Sequence, residues 1–164
     1  MLATLPGDVP RGAALHFIRL TEQGIRSQEG WETVSVLKRI LLVDDEESVL
    51  FVLYNGLLRL DDGYDVEVEK ARDAREALEK LRGSPFDLMV TDLRLPGMDG
   101  VELTKAAREM DSDIVVIWIT AYDCHKARRD AERLGVYRCL DKPLEIDEIR
   151  AIVREAFDTT LGRT

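Results

Sequence analysis

The sequence predicts an α/β domain in which a five-stranded parallel sheet carries helices on both faces. Three observations predict it. Short, continuous apolar runs rich in Val, Ile and Leu recur along the chain from residue 38 onward. Stretches with apolar residues at helical spacing separate them. Gly63, Gly83 and Gly135 stand near the expected helix ends, where a left-handed cap suits glycine. Runs without polar alternation fit strands covered on both faces. Strands alternating with helices imply right-handed crossovers, doubly wound in the order 2-1-3-4-5.

The expected strands follow in order. Ile40–Val43 is apolar and ends in acids, Tyr64–Val68 alternates, and Phe86–Val90 and Ile114–Ile119 are again continuous. Val136–Leu140 is a fifth, less apolar run. The helical stripes lie between them and after the last. They are Val49, Leu50, Leu53, Leu57 and Leu60; Ala71, Ala74, Ala77, Leu78 and Leu81; Val101, Leu103, Ala106 and Ala107; Ala127, Ala131 and Leu134; and Ile146, Ile149, Ile152, Val153 and Ala156. Core packing is the reading of each.

Residues 1–37 read as an extension before a domain over residues 38–160. Their charges nearly cancel, and Pro6, Gly7, Pro10, Gly12, Gly24 and Gly30 punctuate them. Ala13–Ser27 has a weak helical stripe in Leu15, Ile18 and Ile25, so a mobile arm and a packed or dimerising helix both stay open.

Composition excludes several classes. The chain has 164 residues, 45% hydrophobic, enough for one domain with a substantial core. Acids number 32 against 23 Lys and Arg, a net charge of −9. That opposes direct nucleic-acid binding, which depends on neutralising phosphates. No apolar run reaches the roughly 18 residues of a membrane span, and no signal-peptide pattern opens the chain. Cys124 and Cys139 are too few for a disulfide framework or a zinc site and are expected to be reduced and half-buried. A cytoplasmic protein is expected.

In such a sheet ligands bind beyond the carboxyl ends of the strands, where the strand order reverses. The first strand ends in Asp44–Asp45–Glu46, the third in Thr91–Asp92 and the fourth in Thr120–Ala121, and the fifth runs into Asp141–Lys142–Pro143. The first and third strands are neighbours, so Asp44, Asp45 and Asp92 should converge. Clustered carboxylates raise one another's pKa, and a hard divalent cation with oxygen ligands, Mg²⁺, relieves the conflict. Lys142 adds a cation and Thr120 a hydroxyl. Acids with a metal opposite a lysine and a hydroxyl suit a phosphoryl group. Asp92, alone at the end of the central strand, is the best nucleophile, with Asp44 and Asp45 as metal ligands.

These residues resemble the receiver domain of bacterial two-component response regulators, a flavodoxin-like fold. The stretches are 39–47 (RILLVDDEE), 87–100 (DLMVTDLRLPGMDG), 118–121 (WITA) and 140–143 (LDKP), within about residues 38–158. The resemblance implies that Asp92 takes phosphate from a sensor histidine kinase or phosphotransfer protein. Asp45 and Asp92 would bind Mg²⁺, helped by Asp44 and the backbone carbonyl of Arg94. Thr120 and Lys142 would hold phosphoryl oxygens, with Ala121 leaving room, and the Lys142–Pro143 bond would be cis. The face made by the fourth helix, fifth strand and fifth helix would then contact a downstream protein.

Two features depart from the family pattern. The aromatic residue usual three positions before the lysine is Cys139 here, and Tyr137 is expected on the same strand face as a partial substitute. Arg94 and Tyr122 are long where water approaches the phosphoryl group, which predicts slow self-dephosphorylation. His125 has no second histidine nearby to make a metal or relay site. Lys126, Arg128, Arg129 and Arg133 make a locally basic face.

The chain ends just after the fifth helix, which suggests a stand-alone receiver: a signalling module, not a metabolic enzyme. A degenerate receiver acting as a constitutive scaffold is the alternative. Flavodoxins want a hydroxyl- and glycine-rich loop after the first strand, and haloacid-dehalogenase phosphatases a second aspartate two residues beyond the nucleophile. Asp44–Asp45–Glu46 supplies neither.

Overall fold

The computed structural model describes residues 25–27, 30–32, 36–60, 64–121 and 124–161. The chain divides into two units, Met1–Val36 and Leu37–Thr164. In the first, β1 (Ile25–Ser27) pairs antiparallel with β2 (Gly30–Glu32). The expected helix over 13–27 therefore fails at its end, because Ile25–Ser27 is extended and its hydrogen bonds go to β2. The rest of that expectation lies outside the described residues.

The second unit contains the sheet. Its strands are β3 (Val36–Val43), β4 (Tyr64–Ala71), β5 (Leu88–Asp92), β6 (Val115–Thr120) and β7 (Arg138–Asp141). They lie in the order β4-β3-β5-β6-β7, the expected 2-1-3-4-5 of an all-parallel sheet. The helices are α1 (Glu47–Leu57), α2 (Ala74–Gly83), α3 (Gly100–Met110), α4 (Cys124–Leu134) and α5 (Ile146–Leu161).

Strand pleating distributes the apolar runs to two cores. Leu41, Val43, Met89, Val116 and Trp118 pack on one face with Ala77, Leu103 and Ala107 of α2 and α3. Ile40, Leu42, Leu88, Val90, Ile117 and Ile119 pack on the other with Leu50, Leu53, Val153 and Phe157 of α1 and α5. Trp118 is fully buried, and its indole N–H donates to Thr104 Oγ1 at 2.8 Å. The Thr104 hydroxyl in turn donates to the Gly100 carbonyl at 2.7 Å, so this buried polar pair is satisfied.

Local sequence sets the helix starts. Asp73 caps α2 by accepting from the Glu76 N–H, while Glu76 reaches back to the Arg72 N–H. Asp99 caps α3 by accepting from the Glu102 N–H. Each such cap contributes about 1 kcal/mol. Gly135, at φ +64°, closes α4 as expected, and Gly83 is the last residue of α2. Gly63 lies outside the described residues.

Three details differ from expectation. Ala71 ends β4 instead of opening α2, and Leu60 is buried just beyond α1. Tyr137 packs with the α5-side core and Cys139 with the opposite one. The alternation slips because Tyr137 precedes β7, and Arg138 turns toward Glu155 of α5, 3.3 Å away. Tyr137 therefore does not replace the missing aromatic on the Cys139 face.

Finally, Cys124 and Cys139 are joined in a disulfide, with Cα atoms 5.9 Å apart. The reduced thiols expected from the sequence are overturned. The parallel β6–α4–β7 crossover brings the first residue of α4 beside β7, which 15 residues of sequence separation conceal.

Candidate functional site

The sheet register places the polar residues that end the strands. β3 pairs with β5 through Val43↔Thr91, β5 with β6 through Asp92↔Ile119, and β6 with β7 through Thr120↔Asp141. Asp44, Asp92, Thr120 and Lys142 therefore emerge at one rim. Asp44 and Thr120 are fully buried, Asp92 nearly so, and Asp45 is exposed.

The loop after β5 is built to hold Asp92. The Leu93 N–H donates to the Ile119 carbonyl at 3.1 Å, and the Gly100 N–H to the Leu93 carbonyl at 3.0 Å. A Cβ on Gly100 would lie 2.3 Å from the Asp92 carbonyl oxygen and 2.8 Å from Leu93 Cα. Only glycine lets α3 start this close to the strand end. Pro96–Gly97 makes the expected turn, with Gly97 at φ +83°.

Three carboxylate oxygens, one each from Asp44, Asp45 and Asp92, lie within 4.8 Å of one another. Asp44 Oδ1 accepts the Glu46 N–H at 2.9 Å, and Asp92 Oδ1 accepts the Arg94 N–H at 2.8 Å. The Lys142 ammonium lies 2.7 Å from Asp92 Oδ2, 2.8 Å from Asp44 Oδ2 and 3.2 Å from Glu46 Oε1. Its contact with Asp44 is an ion pair that misses hydrogen-bond direction, so buried Asp44 Oδ2 has no directed donor. An under-satisfied buried carboxylate oxygen beside two more carboxylates fits a hard cation.

Burial pushes the Asp44 carboxyl above its ordinary pKa, and the Asp92 charge adds to this; Lys142 and the Glu46 N–H oppose it without prevailing. Burial alone would lower the Lys142 ammonium. Its contacts with Asp44 and Asp92 outweigh that and raise it, so it stays charged. The Lys142 N–H donates to the Thr120 carbonyl at 2.7 Å, and the Lys142–Pro143 bond is cis.

The structure thus brings together Asp44, Asp45, Asp92 and Lys142, with Thr120 on the adjoining strand end. For Arg94 it shows the backbone N–H bound to Asp92, with the residue exposed. His125 is exposed on α4. Tyr122 lies outside the described residues. The sequence reading missed Glu46 as a partner of Lys142 and Asp141 as acceptor of the Cys124 N–H at 2.9 Å. The acidic run after β3 was the signal for Glu46, and its only ambiguity was a capping role at α1.

The family model of the response regulator receiver domain matches residues 40–154. Sporulation initiation phosphotransferase F of Bacillus subtilis (strain 168) is 33% identical over 118 residues, 72% of this chain and 92% of that protein. The transcriptional regulatory protein ZraR of Klebsiella oxytoca is 36% identical over 121 residues. That match takes in 74% of this chain, which spans about a quarter (26%) of ZraR's length. Among solved structures, a CheY-like response regulator receiver domain protein from Methanospirillum hungatei JF-1 superposes with a TM-score of 0.70 at 29% identity. The superposition covers 78% of this chain and 99% of that one. The apposed acids and lysine at this sheet's carboxyl rim, together with that match, make the chain a member of the response regulator receiver domain family, the phospho-accepting modules of two-component signalling.

Proposed function

We propose that Asp92 accepts a phosphoryl group from a phosphohistidine on a sensor histidine kinase or phosphotransfer protein, in a Mg²⁺-dependent reaction. The observation that carries this is the meeting of Asp44, Asp45 and Asp92 at one rim, with the Lys142 ammonium bound to Asp44 and Asp92. An Asp92 carboxylate oxygen forms the new P–O bond as the P–N bond to imidazole breaks. Lys142 follows the charge from the carboxylate to the phosphoryl oxygens, and the Thr120 hydroxyl donates to one of them. Asp44, Asp45, Asp92 and the Arg94 carbonyl would hold Mg²⁺, which, when bound, offsets the carboxylate and phosphoryl charge.

The protein then works as a signalling module. The phosphoryl group adds up to two negative charges and three acceptor oxygens. Drawing Thr120 toward them shifts the balance of two arrangements of the α4–β7–α5 face, which meets a downstream protein. The unit doing this is residues 38–160. Arg94 beside the phosphoryl group, with Tyr122, slows water attack, so Arg94→Ala/Tyr122→Ala should lose phosphate faster than wild type; equal rates would reject that role.

The central test is incubation with acetyl phosphate and Mg²⁺, followed by peptide mass mapping. The expected result is phosphoryl mass on the peptide holding Asp92, lost in Asp92→Asn and with EDTA. No gain, or gain elsewhere, would reject the assignment and leave the scaffold reading.

A further inference from the structure

We propose that Cys124 and Cys139 form a reversible redox modification site that gates the response of the phosphate pocket. This rests on the phosphoacceptor reading above. The disulfide is placed where it can do this. Cys124 is four residues past Thr120 and opens α4. Cys139 is three residues before Lys142, in register with Trp118 on β6. The bond therefore joins the far end of the segment after Thr120 to the strand that leads to Lys142.

α4 alone among the five helices has no fully buried residue among those described. It rests on half-buried Ala127, Ala131 and Leu134 and on the Cys124 N–H bond to Asp141. An element with no fully buried residue among those described belongs to the low-stability end of a fold, and the covalent tie holds its first residue directly. With the disulfide closed, Cys124 is tied to β7 only four residues past Thr120. A shift of Thr120 toward a phosphoryl group then works against that tie. With the bond open, α4 can follow.

The sulfurs are also reachable. Both cysteines are half-buried and line an open cleft of about 300 Å³ with His125, Arg128, Glu132 and Asp141. A small dithiol is the reductant class. Its thiolate attacks one sulfur, the other leaves as a thiolate and takes a proton, and the second dithiol sulfur completes the exchange. Two protein thiols and one cyclic disulfide result.

The test titrates the whole protein with beryllofluoride and Mg²⁺, reading Trp118 fluorescence, once oxidised and once after dithiothreitol. Cys124→Ser/Cys139→Ser is titrated in both buffers, and thiol labelling with mass spectrometry counts free cysteines in every sample. Oxidised wild type should carry no free thiol. Reduction should tighten beryllofluoride binding at least about fivefold, the low end of typical site coupling. The double variant should match reduced wild type in both buffers. Free thiols in the oxidised sample, equal affinities, or tighter binding by the oxidised form would overturn the gate. Binding in no sample would overturn the phosphoacceptor reading and the gate with it, and the thiol count separates that failure from the others.

Discussion

Replacing Lys142 with methionine keeps an unbranched side chain one atom shorter and removes the cation that Asp44, Asp92 and Glu46 share. The lysine side chain is only 11% exposed, so solvent does little to screen the loss. Carboxylate oxygens at a separation of up to 4.8 Å would face one another without an ammonium between them. At an effective dielectric of about 20, one such pair repels by about 332/(20 × 4.8), or ~3.5 kcal/mol. Deleting one partner of a buried ion pair costs about 3–5 kcal/mol by experience with other proteins, which agrees. The sign follows from the raised Lys142 pKa: its contribution is complete below the unfolded value of 10.5 and is lost only as pH rises through the higher folded one. Neutral pH therefore shows the full effect. Urea unfolding in EDTA should give Lys142→Met a loss of about 3 kcal/mol. Mg²⁺ should recover part of it by replacing the missing charge. Acidification should also narrow the gap, because the Asp44 carboxyl, already raised by burial, takes up a proton as pH falls through its folded pKa. A variant as stable as wild type in EDTA, or equally weakened with and without Mg²⁺, would refute the electrostatic account.

Three further outcomes are expected. Gly100→Ala should lose about 1–3 kcal/mol in urea unfolding and accept phosphate more slowly, since its methyl group would sit 2.3 Å from the Asp92 carbonyl; wild-type stability would show that the close approach relaxes freely. Thr104→Val should cost about 1–3 kcal/mol by leaving the buried Trp118 N–H without an acceptor, and an unchanged urea midpoint would contradict this. Burial and the bond to Asp158 hold the Tyr64 phenol near a pKa of about 12. The wild type minus Tyr64→Phe difference in phenolate absorbance should therefore rise around pH 12, and a midpoint at the ordinary value near 10 would rule it out.

Much of the site was legible because strand ends are legible. A continuous apolar run that stops at Asp44 or Asp92 announces both the strand and the rim residue, and the parallel topology puts those rims together. Lys142 and Thr120 could be placed by the same rule. What stayed hidden depends on side-chain geometry between elements. The Cys124–Cys139 bond requires knowing that α4 begins beside β7, and neither cysteine's neighbours in sequence disclose it. Tyr137 was assigned to the Cys139 face by strict alternation, which the turn of Arg138 toward Glu155 interrupts just before β7. Ile25–Ser27 carried one apolar residue of a weak helical stripe, too short a segment for period to separate helix from strand. Glu46 belonged to a visible acidic run, but only the path of Lys142 across the rim shows that it completes the ammonium's third contact.

The sheet keeps the two apolar cores apart, with Leu41 and Trp118 on one side and Leu42 and Ile119 on the other. Substitutions on opposite sides share few neighbours, and their free-energy effects should sum to within a few tenths of a kcal/mol, about the limit for independent sites. The layer against α1 and α5 can therefore be hardened against heat without retuning the layer against α2, α3 and α4.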